Sequence, residues 1–479
     1  MRFLRVRAFG TPATLRKLEI VGQAVKNLSD DTKSRQPAIP WRQIAGRRDK
    51  VNHGGAQRAF GQQHRRPALA LHCRVTRTIS IDRPDQLAEA VARWQTAPSV
   101  ALDTEFVRER TFRARLGLVQ VAAAGEVALV DAVRINDLSP LGTILGDTGS
   151  RKILHSCSED LPVLRRATGV SLKPLFDTQI AAAFAGLGPS LSYAALILAL
   201  FGVQLDKDET RTDWLRRPLS SEQLRYAAAD VEFLPEAAAE LERRLVTLGR
   251  LEWALEDSAT LAALDADGPA PSDAWRRVKG LDRCPPHVQA VARGLAAWRE
   301  REAARLDLAR PFLLRDETLI ALARRDSVSL PEIVRLPGYD PRRHASHALR
   351  WLEALAAARL EVEAGPASVE PLVLSAGDLD RRLAIEAAVG ALVARRAAEL
   401  SLAPELLLSR RQRDRALDVW GGRGSLAAAL GGFRGALLGA ELDALAPVML
   451  AANDSRRGMG DDDHRELRMK CSDRRQRQA

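Results

Sequence analysis

Residues 100–122 read VALDTEFVRERTFRARLGLVQVA. Val100, Leu102, Thr104 and Phe106 alternate with Ala101, Asp103 and Glu105, and this period of two predicts a β-strand. One face of that strand carries Val100, Leu102 and Phe106 into a core. The other projects Asp103 and Glu105 side by side, because residues two apart leave a strand in the same direction. Carboxylates disfavour strands and repel one another at this separation. Two readings fit: a solvated strand face, or a shared divalent-cation site in which the ion offsets the repulsion. Leu116–Ala122 and Val127–Val130 predict two further strands joined around Gly125.

Working outward, Asp82–Trp94 reads as an amphipathic helix with an acidic start. The apolar run Lys152–Ser156 passes into a helix over Ser158–Arg166, and strands and helices then alternate to about Ala262. One α/β domain is therefore expected over 78–262. Beyond the linker Asp267–Pro271 the strand signals vanish and Ala/Leu/Arg helical periodicity takes over. Arg301–Leu314 (REAARLDLARPFLL) aligns with Arg395–Leu408 (RRAAELSLAPELLL) at 8 of 14 positions and a spacing of 94. This reads as a duplication into two helical modules, at about 285–365 and 376–452, each expected to hold its own core.

Two further places carry unusual chemistry. Asp160 lies in the first turn of the helix after Ile153–Ser156, just past the C-terminal end of a strand, where α/β folds gather functional groups. A plainer reading is a capping box from Ser156 to Glu159 with an acid favoured by the helix dipole. Tyr226 and Asp230, in Tyr-Ala-Ala-Ala-Asp, are four apart and share one helical face. The alanines between them leave that helix free to approach a sheet closely, although a structural tyrosine beside a surface aspartate is the plainer alternative.

Taken in order, Asp103-x-Glu105, Asp160 and Tyr226-x3-Asp230 resemble the three motifs of the DEDD exonuclease superfamily in its tyrosine-bearing branch. Within that branch the chain is similar to the ribonuclease D family, on the stretches ALDTEFVRERTFRARLGLVQVA (101–122), ILHSCSEDLPVL (153–164), LFDTQIAAAF (175–184) and DKDETRTDWLRRPLSSEQLRYAAADVEFL (206–234). The resemblance covers about 78–450. It implies a ribonuclease H-like α/β exonuclease domain with a mixed sheet, followed by two all-α HRDC-like helical bundles that bind nucleic acid. It implies 3′→5′ hydrolysis of RNA with two Mg²⁺ or Mn²⁺ ions per site, releasing 5′-mononucleotides from ends such as those of tRNA precursors. Asp103, Glu105, Asp160 and Asp230 would be the metal ligands, and Tyr226 would orient the attacking water. The second module departs from the family, reading Gly432-Phe433-Arg434 where Gly-Trp-Arg is frequent, which weakens its expected binding role.

Other residues in the matched stretches have two readings each. His155 and Asp177 could support the site from behind, or be a core histidine and a loop cap. Lys207, Arg211 and Trp214 could grip phosphates and stack a base, with Trp214 as a core anchor the alternative. Cys157 has no base beside it and reads as structural. Competing functions are a DNA-directed 3′→5′ exonuclease and a catalytically silent RNA-binding protein.

Composition bounds all of this. The 479 residues are 46% apolar and 28% charged, ordinary for globular domains and unlike disordered or fibrous chains. The longest apolar stretch, around Tyr193–Val203, falls short of the ~18 residues of a membrane span and predicts a buried helix. Four scattered cysteines without a CxxC pair argue against a zinc ribbon or disulfide scaffold, so a reducing, cytoplasmic setting without membrane or obligate protein partner is expected. The net charge of +11 is unevenly placed: residues 1–77 carry +13 and 453–479 carry +2, leaving −4 for the part with recognisable motifs. The basic N-terminal extension and the polar C-terminal tail are both expected to be disordered.

Overall fold

The computed structural model describes residues 77–205, 212–263, 270–364, 376–410, 412–414, 416 and 425–451. The expected disordered termini, and Lys207 and Arg211, lie outside them. A six-stranded mixed sheet comprises β1 (Thr78–Ile81), β2 (Ser99–Val107), β3 (Arg115–Ala123), β4 (Glu126–Asp131), β5 (Arg151–Leu154) and β6 (Leu175–Asp177). Its order is β1-β4-β3-β2-β5-β6. The hairpins β2–β3 and β3–β4 are antiparallel, whereas β1 on β4, β5 on β2 and β6 on β5 are parallel. The turn between β3 and β4 places Ala124 and Gly125 both at positive φ, the geometry of a tight hairpin.

Because β2 is buried on both sides, the strand's alternation sorts its side chains between two cores. Val100 and Leu102 enter one with Val119, Val121, Ala128 and Val130, covered by α1 (Pro84–Trp94), α2 (Leu141–Leu145) and α3 (Asp160–Thr168). Ala101, Leu118, Ala122 and Leu129 enter the other. It is covered by α4 (Thr178–Phe184), α5 (Tyr193–Phe201), α6 (Ser221–Glu232), α7 (Leu234–Leu248) and α8 (Leu251–Ala262). Phe106, expected in the core, is only half-buried: a register shift between Glu105 and Phe106 breaks the alternation at the strand's end. The apolar run at Tyr193 is α5, and no described helix is long and apolar enough to cross a membrane.

The helical half shows the repeat in its backbone. In the first module α9 (Pro286–Leu306) ends at Asp307 in the left-handed region and restarts as α10 (Arg310–Leu313). Helices α11 (Asp316–Ala323), α12 (Leu330–Ile333), α13 (Pro341–His344) and α14 (Ala348–Ala364) complete the first module. The second then opens with α15 (Ala376–Glu399), passes Ser401 at positive φ and restarts as α16 (Pro404–Leu407). Asp307 and Ser401, and Arg310 and Pro404, are each 94 apart, the spacing of the sequence repeat. The first module has its own core around Trp351 and Leu295, which extends upstream of 285 to Ala274, Val278 and Leu281 in two 3₁₀ turns.

The second module departs from the expectation of an independent core. Ile385, Val389, Leu407, Phe433 and Leu438 belong to the same buried cluster as α4 and α7. Helix α18 (Gly432–Ala451), which follows α17 (Leu426–Leu430), makes the contact with α8. Phe433 stacks on Trp253 at 5.2 Å and meets Phe184 edge-on at 5.6 Å. Glu256 accepts from the Phe433 amide at 2.9 Å, while Arg434 grips Asp257 at 2.5 and 2.8 Å and donates to the carbonyls of Leu406 and Leu407. A Cβ at Gly432 would collide with Glu256. The Gly-Phe-Arg element is thus occupied with the α8 face.

Candidate active site

Asp103 and Glu105 leave β2 on the α6 side of the sheet, and α6 brings Tyr226 and Asp230 down over them. A capping box starts α6: Gln223 N–H donates to Ser220 Oγ at 3.2 Å and Ser220 N–H to Gln223 Oε1 at 3.0 Å. Its small residues then allow close approach, with Ala227 fully buried against the strands. One carboxylate oxygen from each of Asp103, Glu105 and Asp230 lies within 4.8 Å of the other two.

Asp160 comes from the other side. It is the first residue of α3, and its Oδ1 accepts the hydroxyl hydrogen of Thr104, which sits between Asp103 and Glu105 but points to the opposite face. The expected Ser156–Glu159 capping box is absent. Ser156 has a positive φ, Glu159 is the cap without a side-chain bond, and its carboxylate pairs with Arg108 at 2.6 Å.

Burial governs the electrostatics, and crowding adds to it. Burial, then the charges of Asp160, Asp230 and Glu105, hold Asp103 well above the usual carboxylate range. Burial, then Asp230 and Asp160, pushes Glu105 up to about 8. Burial pushes Asp230 up to about 7 against the opposing hydrogen bond with Tyr226, and Asp160 up to about 6 against the bond from Thr104. Burial and the neighbouring carboxylates also raise the Tyr226 phenol, so at neutral pH it is a hydroxyl that can orient a partner but not act as a base.

Around this centre the other predicted residues take varied places. His155 bonds to Thr178 Oγ1 at 2.9 Å through Nδ1 and to the Leu191 carbonyl at 3.0 Å through Nε2. A carbonyl only accepts, so Nε2 carries the proton; burial favours the neutral ring. Asp177 caps α4, accepting from Gln179 and Ile180 at 2.8 and 3.2 Å, and also accepts from Ser156 N, Cys157 N and Cys157 Sγ in the turn leading to Asp160. Cys157 is buried, and that burial raises its thiol pKa. Trp214 cannot stack a base: it is 2% exposed, in the core, with its ring 6.2 Å from Tyr226. The anchoring is tight, since a Cβ at Gly117 would strike the Trp214 carbonyl.

Two residues went unread in the sequence. Thr104 looked like a core position of the alternation. Gln120 sits directly opposite Asp103 on β3, fully buried, with neither side-chain amide atom bonded. Its polarity within the otherwise apolar run LGLVQVA was the available signal.

A buried cluster that offers only carboxylate oxygens and holds protons when alone suits a hard divalent cation. Its place on the mixed sheet makes it a candidate divalent-metal site. Residues 78–246 match the family model described as 3′-5′ exonuclease, and residues 288–355 match the HRDC domain. A third model, ribonuclease HepT-like, matches residues 9–54, outside the described residues. Ribonuclease D of Pseudomonas paraeruginosa is 39% identical over 327 residues, 68% of this chain and 85% of that protein. Ribonuclease D of Escherichia coli is 37% identical over 340 residues, 71% of this chain and 89% of that one. The crystal structure of Escherichia coli RNase D, titled an exoribonuclease involved in structured RNA processing, superposes with a TM-score of 0.68 at 35% identity, covering 78% of this chain and 98% of that chain. The chain belongs to the ribonuclease D family, and it is a hydrolase, a 3′-5′ exoribonuclease.

Proposed function

We propose that the chain trims the 3′ ends of structured RNA in the cytoplasm, tRNA precursors being the substrate class, and releases 5′-mononucleotides. The carrying observation is the meeting of three carboxylates within 4.8 Å beside the Tyr226 hydroxyl. Asp103, Glu105, Asp160 and Asp230 are the carboxylates that would hold two Mg²⁺ or Mn²⁺ ions. Two such cations supply an activated water and neutralise charge at the leaving oxygen. Tyr226 stays protonated and orients the attacking water by a hydrogen bond. Thr104 keeps Asp160 turned towards β2, and Asp177 holds the turn from which Asp160 projects. We assign the nuclease domain to 78–262 and the helical modules to 285–365 and 376–452.

A tRNA precursor with a 3′ trailer, incubated with Mg²⁺ or Mn²⁺ and then with EDTA, tests this reading. Stepwise loss of the trailer that EDTA stops is expected. An end-labelled DNA oligomer degraded faster than its RNA equivalent would favour the DNA-directed alternative, and tight RNA binding without metal-stimulated turnover the silent one.

A further inference from the structure

Gln120 carries the only polar side chain in the run Leu116–Ala122 of β3. It is fully buried, and neither its Nε2 nor its Oε1 has a hydrogen-bond partner among the described residues. A primary amide brings two donors and an acceptor, and buried amides are normally bonded because an unpaired one keeps its full desolvation cost. An apolar side chain would fill the same place without that cost. Packing alone therefore gives no reason for an amide here.

The neighbours of Gln120 point to its partner. Directly across on β2 stands Asp103, directly across on β4 stands Leu129, and along β3 the residues on the same face are Leu118 and Ala122. Over this face α6 lays the buried Ala227 and Val231. Opposed residues of an antiparallel pair hold their Cβ atoms about 4.5–5.5 Å apart, within the reach of a glutamine facing an aspartate. Glu105 on β2 and Asp131 on β4 share the face, but only at diagonal positions, roughly 7–8 Å away. Asp131 is already gripped by Arg217, through Nε at 2.6 Å and a second guanidinium nitrogen at 2.8 Å. Asp103 is thus the nearest carboxylate to an amide that lacks an acceptor.

We propose that Gln120 is a positioning residue for Asp103: its Nε2–H donates to the Asp103 carboxylate and fixes which oxygen is offered to a divalent cation. The inference rests on the metal-site reading above and adds to it a residue that stands behind a ligand. A group that hydrogen-bonds a metal ligand from behind sets the ligand's orientation, and losing such a group commonly weakens metal binding roughly 10–100-fold.

Gln120→Met and Gln120→Val remove the donor and keep the site apolar, one with a long side chain and one with a short, strand-favouring one. Each full-length variant would be melted in EDTA and titrated with Mn²⁺ at pH 8, the free ion being followed by electron paramagnetic resonance. The better packed of the two should melt no lower than the wild type, because apolar atoms replace an unpaired buried amide. Both should bind Mn²⁺ at least about tenfold more weakly. The Mn²⁺ dependence of RNA hydrolysis should shift to higher metal concentration by a similar factor, with KM for a single-stranded RNA oligomer unchanged. Wild-type Mn²⁺ affinity in either folded variant would overturn the proposal. So would a Tm well below the wild type's in both, which would assign the amide to the fold instead. A wild type that binds no Mn²⁺ at all would sink the metal-site reading itself, a result distinct from tight Mn²⁺ binding that Gln120 does not influence.

Discussion

Glu105 illustrates the cost of assembling the site. An unfolded chain ionises Glu105 near 4.5, whereas the folded one keeps its proton up to about 8. The folded state therefore binds more protons between these values, and its stability falls as pH rises through that window. Removing the charge should help the metal-free fold. Glu105→Gln in EDTA at pH 8.5 should raise Tm by at least ~2 °C, with no gain at pH 4, and differential scanning calorimetry checks it. Mg²⁺ or Mn²⁺ should in turn stabilise the wild type more at pH 8 than at pH 6, because ligation displaces protons; a Tm response that shrinks with pH would contradict this. For the chemistry, Asp103→Ala should lower kcat at least ~10³-fold. Tyr226→Phe, which removes only a positioning hydrogen bond, should lower kcat by ~10–10²-fold with little change in KM. Wild-type rates in both would refute the assignment. The five residues were legible together rather than singly: only the acids on a strand sit at odds with their element, whereas Asp160 at a helix start and the Tyr226–Asp230 pair have plainer readings until the order of all five resembles the exonuclease motifs. Thr104 and Gln120 were not, since a hydroxyl or an amide inside an alternating strand looks the same whether it supports a site or fills a core. Trp214 read equally well as stacking surface or core because a tryptophan's exposure is decided by tertiary packing.

The elements show why position matters beyond residue type. β2 bears Asp103 and Glu105 on one face and Thr104 on the other, so one strand tethers groups from both layers of helices. The turn before α3 depends on Asp177, whose two oxygens accept from five donors: two backbone N–H groups of α4, those of Ser156 and Cys157, and the Cys157 thiol. Asp177→Ala would strand buried N–H groups, and we expect a loss of about 2–4 kcal/mol with a fall in kcat as Asp160 loses its mooring. Asp177→Asn, which keeps one acceptor oxygen, should recover part of both; equal losses in denaturant melts and kinetics would remove Asp177 from the positioning role. Strand and helix types follow the alternation read from the chain, and the 94-residue repeat reappears as paired left-handed breaks at Asp307 and Ser401. What periodicity could not show was the bulge after Glu105, because one extra residue changes hydrogen bonding without changing composition.

At the scale of the whole molecule, the chain's charge and its core divide along different lines. The net positive charge of the chain belongs to its ends, while the functional middle is −4. Truncation should therefore have opposite effects at the two ends. A chain beginning at Arg74 loses neither a carboxylate of the site nor a residue of the described cores, and metal-dependent activity should survive. A chain ending at Ala364 keeps every site residue, but it loses Phe433 and Arg434. Phe184 and Trp253 are then bared to water, and Asp257 loses the Arg434 guanidinium that grips it. With the whole module gone Asp257 regains water, so the loss comes chiefly from the bared apolar surface, at about 25 cal/mol per Å². That chain should melt several degrees lower, bind a hydrophobic dye and lose activity on warming before the full chain does. Arg434→Ala alone should reproduce much of the thermal loss without changing kcat at low temperature, because Arg434 touches α8 rather than the carboxylates. Identical melting curves for the full chain, the 364-residue form and Arg434→Ala would show that the second module contributes nothing to the nuclease core. A selective loss of RNA affinity at unchanged Tm would instead return the Gly-Phe-Arg element to a nucleic-acid role.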